Sequence, residues 1–193
     1  MKIIDISRTL QDAPLYPGDE SAKIELVQDM EQGQPCNTGV ITAGLHLGTH
    51  ADAFSHFIAE GSTIDQMPLE HYCGKCRVIT VPSDSLVKLS DIKGRLAGGE
   101  RIALRSEGTS FLCEQAAEYI AACGIKAVLT DAVSVAPSDN EECIHRLLME
   151  GKVAIIENVT LEGVEDGDYL LFAFPVKYGG ADGAPVRAVL IAE

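Results

Sequence analysis

Between positions 46 and 56 the chain reads His46-Leu47-Gly48-Thr49-His50-Ala51-Asp52-Ala53-Phe54-Ser55-His56, a spacing of His-x3-His-x-Asp-x3-His. This short stretch gathers most of the protein's 5 histidines around an aspartate. Imidazole nitrogens and carboxylate oxygens are the usual ligands of zinc and similar divalent ions. A catalytic zinc site commonly keeps three protein ligands and one open position. His46, His50 and Asp52 could be those ligands, leaving His56 as a general acid or base, a task suited to an ordinary pKa of about 6.5. The alternative is unrelated histidines that fall together; the tight spacing and the enclosed aspartate favour the metal.

Two residues far along the chain bear on the same chemistry. Glu157 lies in the run Val153 to Val159, on the strand face shared by Val153, Ile155 and Val159. A carboxylate there is costly to bury unless a charge or a metal compensates it; a strand end reaching solvent, or pairing with a lysine or arginine, would do as well. His145 sits in a helical segment just before that strand, where a lone histidine is usually idle.

The elements that must position these residues are short. Strands are expected at Ile3 to Ile6, Lys23 to Val27, Val40 to Leu47 (delivering His46 at its end), Arg77 to Val81, Arg101 to Leu104, Ala127 to Leu129, Val153 to Val159, Tyr169 to Val176 and Val186 to Ile191. Gly179 to Pro185 reads as a loop. Leu47-Gly48-Thr49 is a poor helix interior, since glycine costs about 1 kcal/mol against alanine there, so the first histidine pair belongs on a strand end and the loop after it. Cys113 to Cys123 is an amphipathic helix stopped by Gly124. Ser138 with Glu141 reads as a capping box opening a second helix that runs to Gly151, and Ser90 to Leu96 suggests a shorter one. Eight to ten strands and two main helices without strict βα alternation give an α/β or α+β class dominated by β-structure. No linker or internal repeat interrupts residues 1–193, which reads as one domain.

Composition excludes several function classes. A net charge of −14 is unsuited to nucleic acid. No apolar run approaches the roughly 20 residues of a membrane span, and Asp5 interrupts the N-terminus too soon for a signal segment. A cytoplasmic protein is expected. The six cysteines, Cys36, Cys73, Cys76, Cys113, Cys123 and Cys143, follow no disulfide framework.

The stretch from His46 to Phe57 resembles the His-x-Gly-Thr-His-x-Asp-x-Pro-x-His-Phe hallmark of the cyclase-like metal-dependent hydrolases, which include kynurenine formamidases (arylformamidases) and isatin hydrolases. Tyr16-Pro17-Gly18-Asp19 is similar to that family's aromatic-Pro-Gly-Asp loop beside the substrate. His145 to Leu148 with Ile155 to Asn158 is similar to its second metal-binding segment, and Ala181 to Arg187 to its C-terminal signature. The resemblance implies a swivelling β/β/α domain, usually a homodimer or homotetramer, that hydrolyses a non-peptide C–N bond of a small molecule. It implies two divalent ions, zinc foremost and manganese as the alternative. His46, His50 and Asp52 would hold one ion; Asp52 as a bridge, His145 and Glu157 would hold the second; His56 would be the acid/base residue. Tyr16 and Phe54 would line the substrate pocket.

The sequence departs from the family pattern in two places. Phe54 replaces the motif proline, and Ala103 to Thr109 replaces the Arg-Thr-Gly-Trp stretch of typical formamidases in a chain with no tryptophan. A cyclic amide or lactone is the alternative substrate class. From other classes, Cys73-Gly74-Lys75-Cys76 has the spacing of a thiol-redox motif, and a metal-binding protein without catalysis is a third reading.

Overall fold

The computed structural model describes residues 1–192. Thirteen strands form among them: β1 (Lys2–Asp5), β2 (Lys23–Gln28), β3 (Thr38–Thr42), β4 (His50–Asp52), β5 (Cys73–Thr80), β6 (Leu86–Val87), β7 (Arg101–Arg105), β8 (Phe111–Leu112), β9 (Ala127–Thr130), β10 (Ala154–Glu157), β11 (Gly167–Phe172), β12 (Gly183–Pro185) and β13 (Val189–Ala192). The helices are α1 (Leu89–Ile92), α2 (Glu114–Ala122) and α3 (Glu141–Glu150), so two are of substantial length, as the sequence suggests.

Nine strands make one mixed sheet in the order β1-β13-β11-β5-β7-β9-β10-β4-β12. Its centre, β5-β7-β9-β10, is parallel, and both flanks are antiparallel. Parallel neighbours need a crossover, and each of the three crossovers carries one helix, so residues 73–157 do alternate β and α. No α-helix lies before β5 or after β10 among the described residues, so the alternation is confined to the centre and the chain as a whole lacks it. Central strands are covered on both faces, which is why β9 and β10 are buried at every residue and apolar up to their last ones, Thr130 and Glu157. Core residues from the sheet and from α2 and α3 form one buried cluster.

Three boundaries differ from the sequence reading. β3 ends at Thr42 and His46 lies in a turn, because the chain reverses through Gly44 and a left-handed Gly48. At Gly48 a β-carbon would also strike Leu10, 2.9 Å away. The Ser138–Glu141 capping box does not form: α3 starts at Glu141 after Asn140, whose side chain donates to Glu114 instead of capping the helix. Gly183–Pro185, expected as loop, is the edge strand β12, and it tolerates Pro185 because an edge needs no donor on its outer side.

β2 and β3 form a separate ribbon outside the main sheet. Ile24, Leu26, Val27, Met30, Val40 and Ile41 are all exposed there. No helix among the described residues is long and apolar enough to cross a membrane.

Candidate metal centre

The centre is assembled where β4 is inserted between β10 and β12. Alternation along β4 sends His50 and Asp52 to one face and Ala51 to the core on the other. The register sets Glu157 of β10 directly opposite His50, and Gly183 of β12 opposite Asp52. His145 comes from the buried side of α3, His46 from the turn before β4, and His56 from the 3-10 turn Phe54–His56. All five histidine and carboxylate ligands expected from the sequence, and His56, therefore converge.

The deeper part consists of His50, Asp52, Glu157 and His145, each at most 5 % exposed. His50 Nε2 lies 3.3 Å from Asp52 Oδ1 and 3.4 Å from Glu157 Oε2. His145 Nε2 lies 3.3 Å from Glu157 Oε1 and 3.7 Å from Asp52 Oδ2. Ligands bonded to zinc at about 2.0–2.1 Å in a tetrahedron stand about 3.3 Å apart, so these atoms have the spacing of a shared coordination shell. His50 Nε2 and Asp52 Oδ2 are buried without a hydrogen-bond partner, a costly state unless an ion completes it. The other ring nitrogens are committed. His50 Nδ1 donates to Gly48 O at 2.8 Å and His145 Nδ1 to Glu141 O at 2.9 Å. A carbonyl can only accept, so in the neutral form of each ring it is Nε2 that carries the lone pair a ligand needs. The residues fit a divalent ion.

The outer part pairs His46 with His56, whose rings stack at 4.0 Å. His46 Nδ1 is 2.8 Å from Asp52 Oδ1, and its buried Nε2 has no hydrogen-bond partner. Two donor sets close enough to hold an ion share Asp52: His46 with His56, and His50 with Glu157. The grouping thus differs from the sequence-based one, in which His46 and His50 went together. The ladder between β4 and β10 explains this, since it fixes His50 against Glu157.

Electrostatics in the ion-free protein follow from burial of equal numbers of acids and bases. Burial opposes protonation of His50, but the adjacent carboxylates of Asp52 and Glu157 outweigh it and lift the imidazole to about 10. His145 rises to about 9 against the same burial, chiefly through Glu157. Burial would raise Asp52, yet His46 and His50 hold it well below the usual carboxylate range. Glu157, pushed up by burial and by Asp52, is also brought down overall by His145 and His50. Without an ion, protons on two imidazoles balance the two carboxylates.

Three further residues complete the surroundings. Asp182 Oδ2 is 3.2 Å from His56 Nδ1 and 3.3 Å from His46 Nε2. It lies inside the C-terminal signature, but only the fold shows that it faces both histidines. Phe57 packs at 4.5 Å on both His145 and His56. Phe54, expected beside the ligands, is instead buried with its ring edge-on to His71 and with Lys152 Nζ 5.4 Å from its centre. The tight turn sends the ring of Phe54 into the core and leaves Phe57 as the aromatic wall. Tyr16 reaches α3, its hydroxyl donating to Glu141 Oε2 at 3.0 Å; burial and the carboxylates of Glu141 and Glu157 raise its pKa.

The Cys-x-x-Cys pair does not have redox geometry. Both cysteines lie within β5, where three residue steps along the strand set their α-carbons about 10 Å apart, beyond disulfide reach. Burial pushes the Cys76 thiol up to about 12, far from a reactive thiolate.

Comparison with known proteins agrees with this geometry. The model of the family described as "Putative cyclase" matches residues 4–137. A kynurenine formamidase of Bacillus cytotoxicus is 35% identical over 200 aligned positions, covering 97% of this chain and 96% of the relative. A predicted metal-dependent hydrolase from Bacillus stearothermophilus superposes with a TM-score of 0.84 at 25% identity, covering 98% of this chain and 97% of that one. An isatin hydrolase bound to the product analogue thioisatinate shares the fold with a TM-score of 0.86 at 18% identity, over 100% of this chain and 93% of the other. The model match spans most of the sequence and the formamidase match nearly all of it, and on both grounds this chain is a member of the cyclase family.

Proposed function

We propose that the protein is a metal-dependent hydrolase that cleaves a non-peptide C–N bond in a small molecule, with an aryl formamide such as N-formylkynurenine as substrate and kynurenine and formate as products. The carrying observation is the buried set of His50, Asp52, Glu157 and His145, whose side-chain atoms stand at coordination spacing, with His50 Nε2 and Asp52 Oδ2 left without a hydrogen-bond partner. The relative named kynurenine formamidase supports the formamide.

Five residues would hold two divalent ions, zinc foremost and manganese as the alternative. Asp52 is shared, His50, Glu157 and His145 lie on the inner side, and His46 lies on the outer side. Bound there, the ions supply a water of low pKa and positive charge for the substrate's carbonyl oxygen. His56 acts as the acid/base residue rather than a ligand. Asp182 can only accept, so His56 Nδ1 carries the proton and Nε2 is left to take one from the attacking water and pass it to the leaving nitrogen. Asp182 holds that tautomer, while Phe57, packed on His56 and His145, and Tyr16 would contact the substrate. A cyclic amide or lactone is the second reading, favoured by the altered Ala103 to Thr109 stretch and the lack of tryptophan.

The chain would work as one domain in a homodimer or homotetramer. A two-stranded ribbon is marginal by itself, and the exposed apolar residues of β2 and β3 make a surface suited to another copy. Six free thiols suit a reducing compartment such as the cytoplasm.

Metal analysis of the purified protein, coupled to hydrolysis assays on N-formylkynurenine, isatin, simple lactones and imides, tests the proposal. Chelator-sensitive turnover of N-formylkynurenine supports it. Preference for isatin or a lactone selects the second reading, and hydrolysis that survives complete metal removal overturns both.

A further inference from the structure

A cleft of about 580 Å³ opens at the carboxyl ends of the parallel strands β5, β7 and β9. That volume is within the usual range for small-molecule sites, and the crevice beyond the carboxyl ends of parallel strands is where open α/β sheets take ligands. None of the histidines or carboxylates of the metal centre lines it. Its polar lining includes Arg8, Ser83, Arg105, Glu107, Thr160 and Glu162.

Arg8 is the unusual member. The protein has seven arginines; Arg77, Arg95, Arg101, Arg105, Arg146 and Arg187 each have a carboxylate within 4.0 Å. Among the described residues Arg8 has none, in a chain with a large excess of acids. It is partly buried, and its Nε is buried without an acceptor. Its Nη2 meets only a neutral partner, the backbone carbonyl of Asp131 at 3.2 Å. The carboxylate of that same residue is turned away, receiving the Ser106 backbone N–H at 3.0 and 2.9 Å and the Ser106 hydroxyl at 2.7 Å. Held in this clamp, the Asp131 carboxylate, which also lines the cleft, makes no ion pair with the guanidinium within 4.0 Å. The next residue, Glu107, is held at φ 60°, a conformation rare outside glycine that concentrates at functional sites.

We propose that this cleft is a second ligand site, separate from the metal centre, in which Arg8 binds the carboxylate of a small organic acid. A guanidinium with a free edge matches a carboxylate with two parallel hydrogen bonds, and Ser83 and Thr160 add hydroxyl donors to the same lining. Glu107 and Glu162 at the cleft favour a monoanion over a dianion, which selects carboxylate over phosphate. The site is independent of what the metal centre hydrolyses.

Calorimetric titration of the purified protein with benzoate, and in parallel with inorganic phosphate, tests the site. Benzoate should bind more tightly than phosphate. Arg8→Gln should weaken benzoate about tenfold or more, the usual scale for a lost charge-assisted hydrogen-bond pair, with Arg8→Lys intermediate. The Arg8 backbone N–H bonds to Thr49 Oγ1 at 2.9 Å, and no side-chain exchange removes that tie. Should Arg8→Gln nevertheless fail to fold, the double variant Glu107→Gln/Glu162→Gln decides, because removing the like charges should tighten benzoate about threefold. Absence of benzoate binding at millimolar concentration, undiminished binding in Arg8→Gln, unchanged affinity in the double variant, or tighter binding of phosphate each overturns the proposal.

Discussion

A β-carbon on Gly183 would stand 2.6 Å from Cε1 of His46. The space above β12 that a side chain would fill is taken by the imidazole, so the residue type at 183 sets where His46 can lie. Gly183→Ala is expected to displace the ring and lower hydrolytic activity about 10- to 100-fold, the scale seen when a ligand's support is removed, with the fold retained in far-UV circular dichroism. Full activity in this variant would mean that His46 is not needed in its observed position.

His56 and Asp182 should separate catalysis from metal holding. His56→Ala is expected to lower kcat by about 10²- to 10⁴-fold, the range for a lost general acid/base, while metal content by atomic emission stays at the wild-type level. Asp182→Ala should lower kcat less, about 10- to 100-fold. Metal lost in parallel with activity from His56→Ala would reassign His56 as a ligand of the outer set.

Metal loading should depend steeply on pH, with a definite sign. In the ion-free protein His50 and His145 titrate at about 10 and about 9, so at neutral pH an ion must displace both protons. Apparent affinity should rise with pH, by up to about 100-fold per unit where two protons are released. Competition with a chromophoric chelator at pH 6, 7 and 8 measures it; a flat profile would contradict the protonation scheme. The same raised values stabilise the ion-free fold fully below the unfolded histidine pKa, and that contribution is lost as pH rises through about 9 and then about 10. Asp52, held low, contributes stability above its unfolded pKa of about 3.9, lost as pH falls toward its depressed native value.

Glu157→Gln keeps the shape of the inner set but removes one charge. Metal occupancy should fall, and because His145 loses its main partner its pKa should drop toward the ordinary value, visible in the histidine ring resonances of the ion-free protein. Wild-type occupancy of both ions in this variant would remove Glu157 from the ligand set.

Arg101 provides a stability test remote from the chemistry. It is 1 % exposed, and its guanidinium donates to His71 O at 2.9 Å, Lys75 O at 3.2 Å and also to Glu70 O. Arg101→Met would leave those carbonyls and Glu100 without their donor, at a cost of about 3 kcal/mol. Urea denaturation should show the midpoint falling with little change in slope.

The candidate site was legible because four of its residues share one short stretch whose spacing is itself the motif. His145 and Glu157 were legible only through family likeness, since a helical histidine and a strand carboxylate have bland explanations of their own. Asp182 and Phe57 lay within quoted signatures, yet their contacts with His56 are made by a chain reversal and by the register of β12, neither of which periodicity encodes. The Phe54 expectation failed for a related reason: in a 3-10 turn, neighbouring residues point to different sides. The short helix α1 is expected nearby, at Ser90 to Leu96, but the all-β stretches before β5 and after β10 mask the alternation at the centre. Arg8 stands apart by lacking an ion pair, which is a property of the assembled molecule and of no local pattern.

The ladder between β4 and β10 has one further consequence. Side chains alternate along a strand, so a slip of one residue would set Ala51 against Glu157 and turn His50 and Asp52 to the opposite face. Only the native registry presents the donors together. Metal uptake by the proposed inner set would therefore act as a proofreading signal for this ladder: a chain paired one step out would keep much of its secondary structure and lack that set.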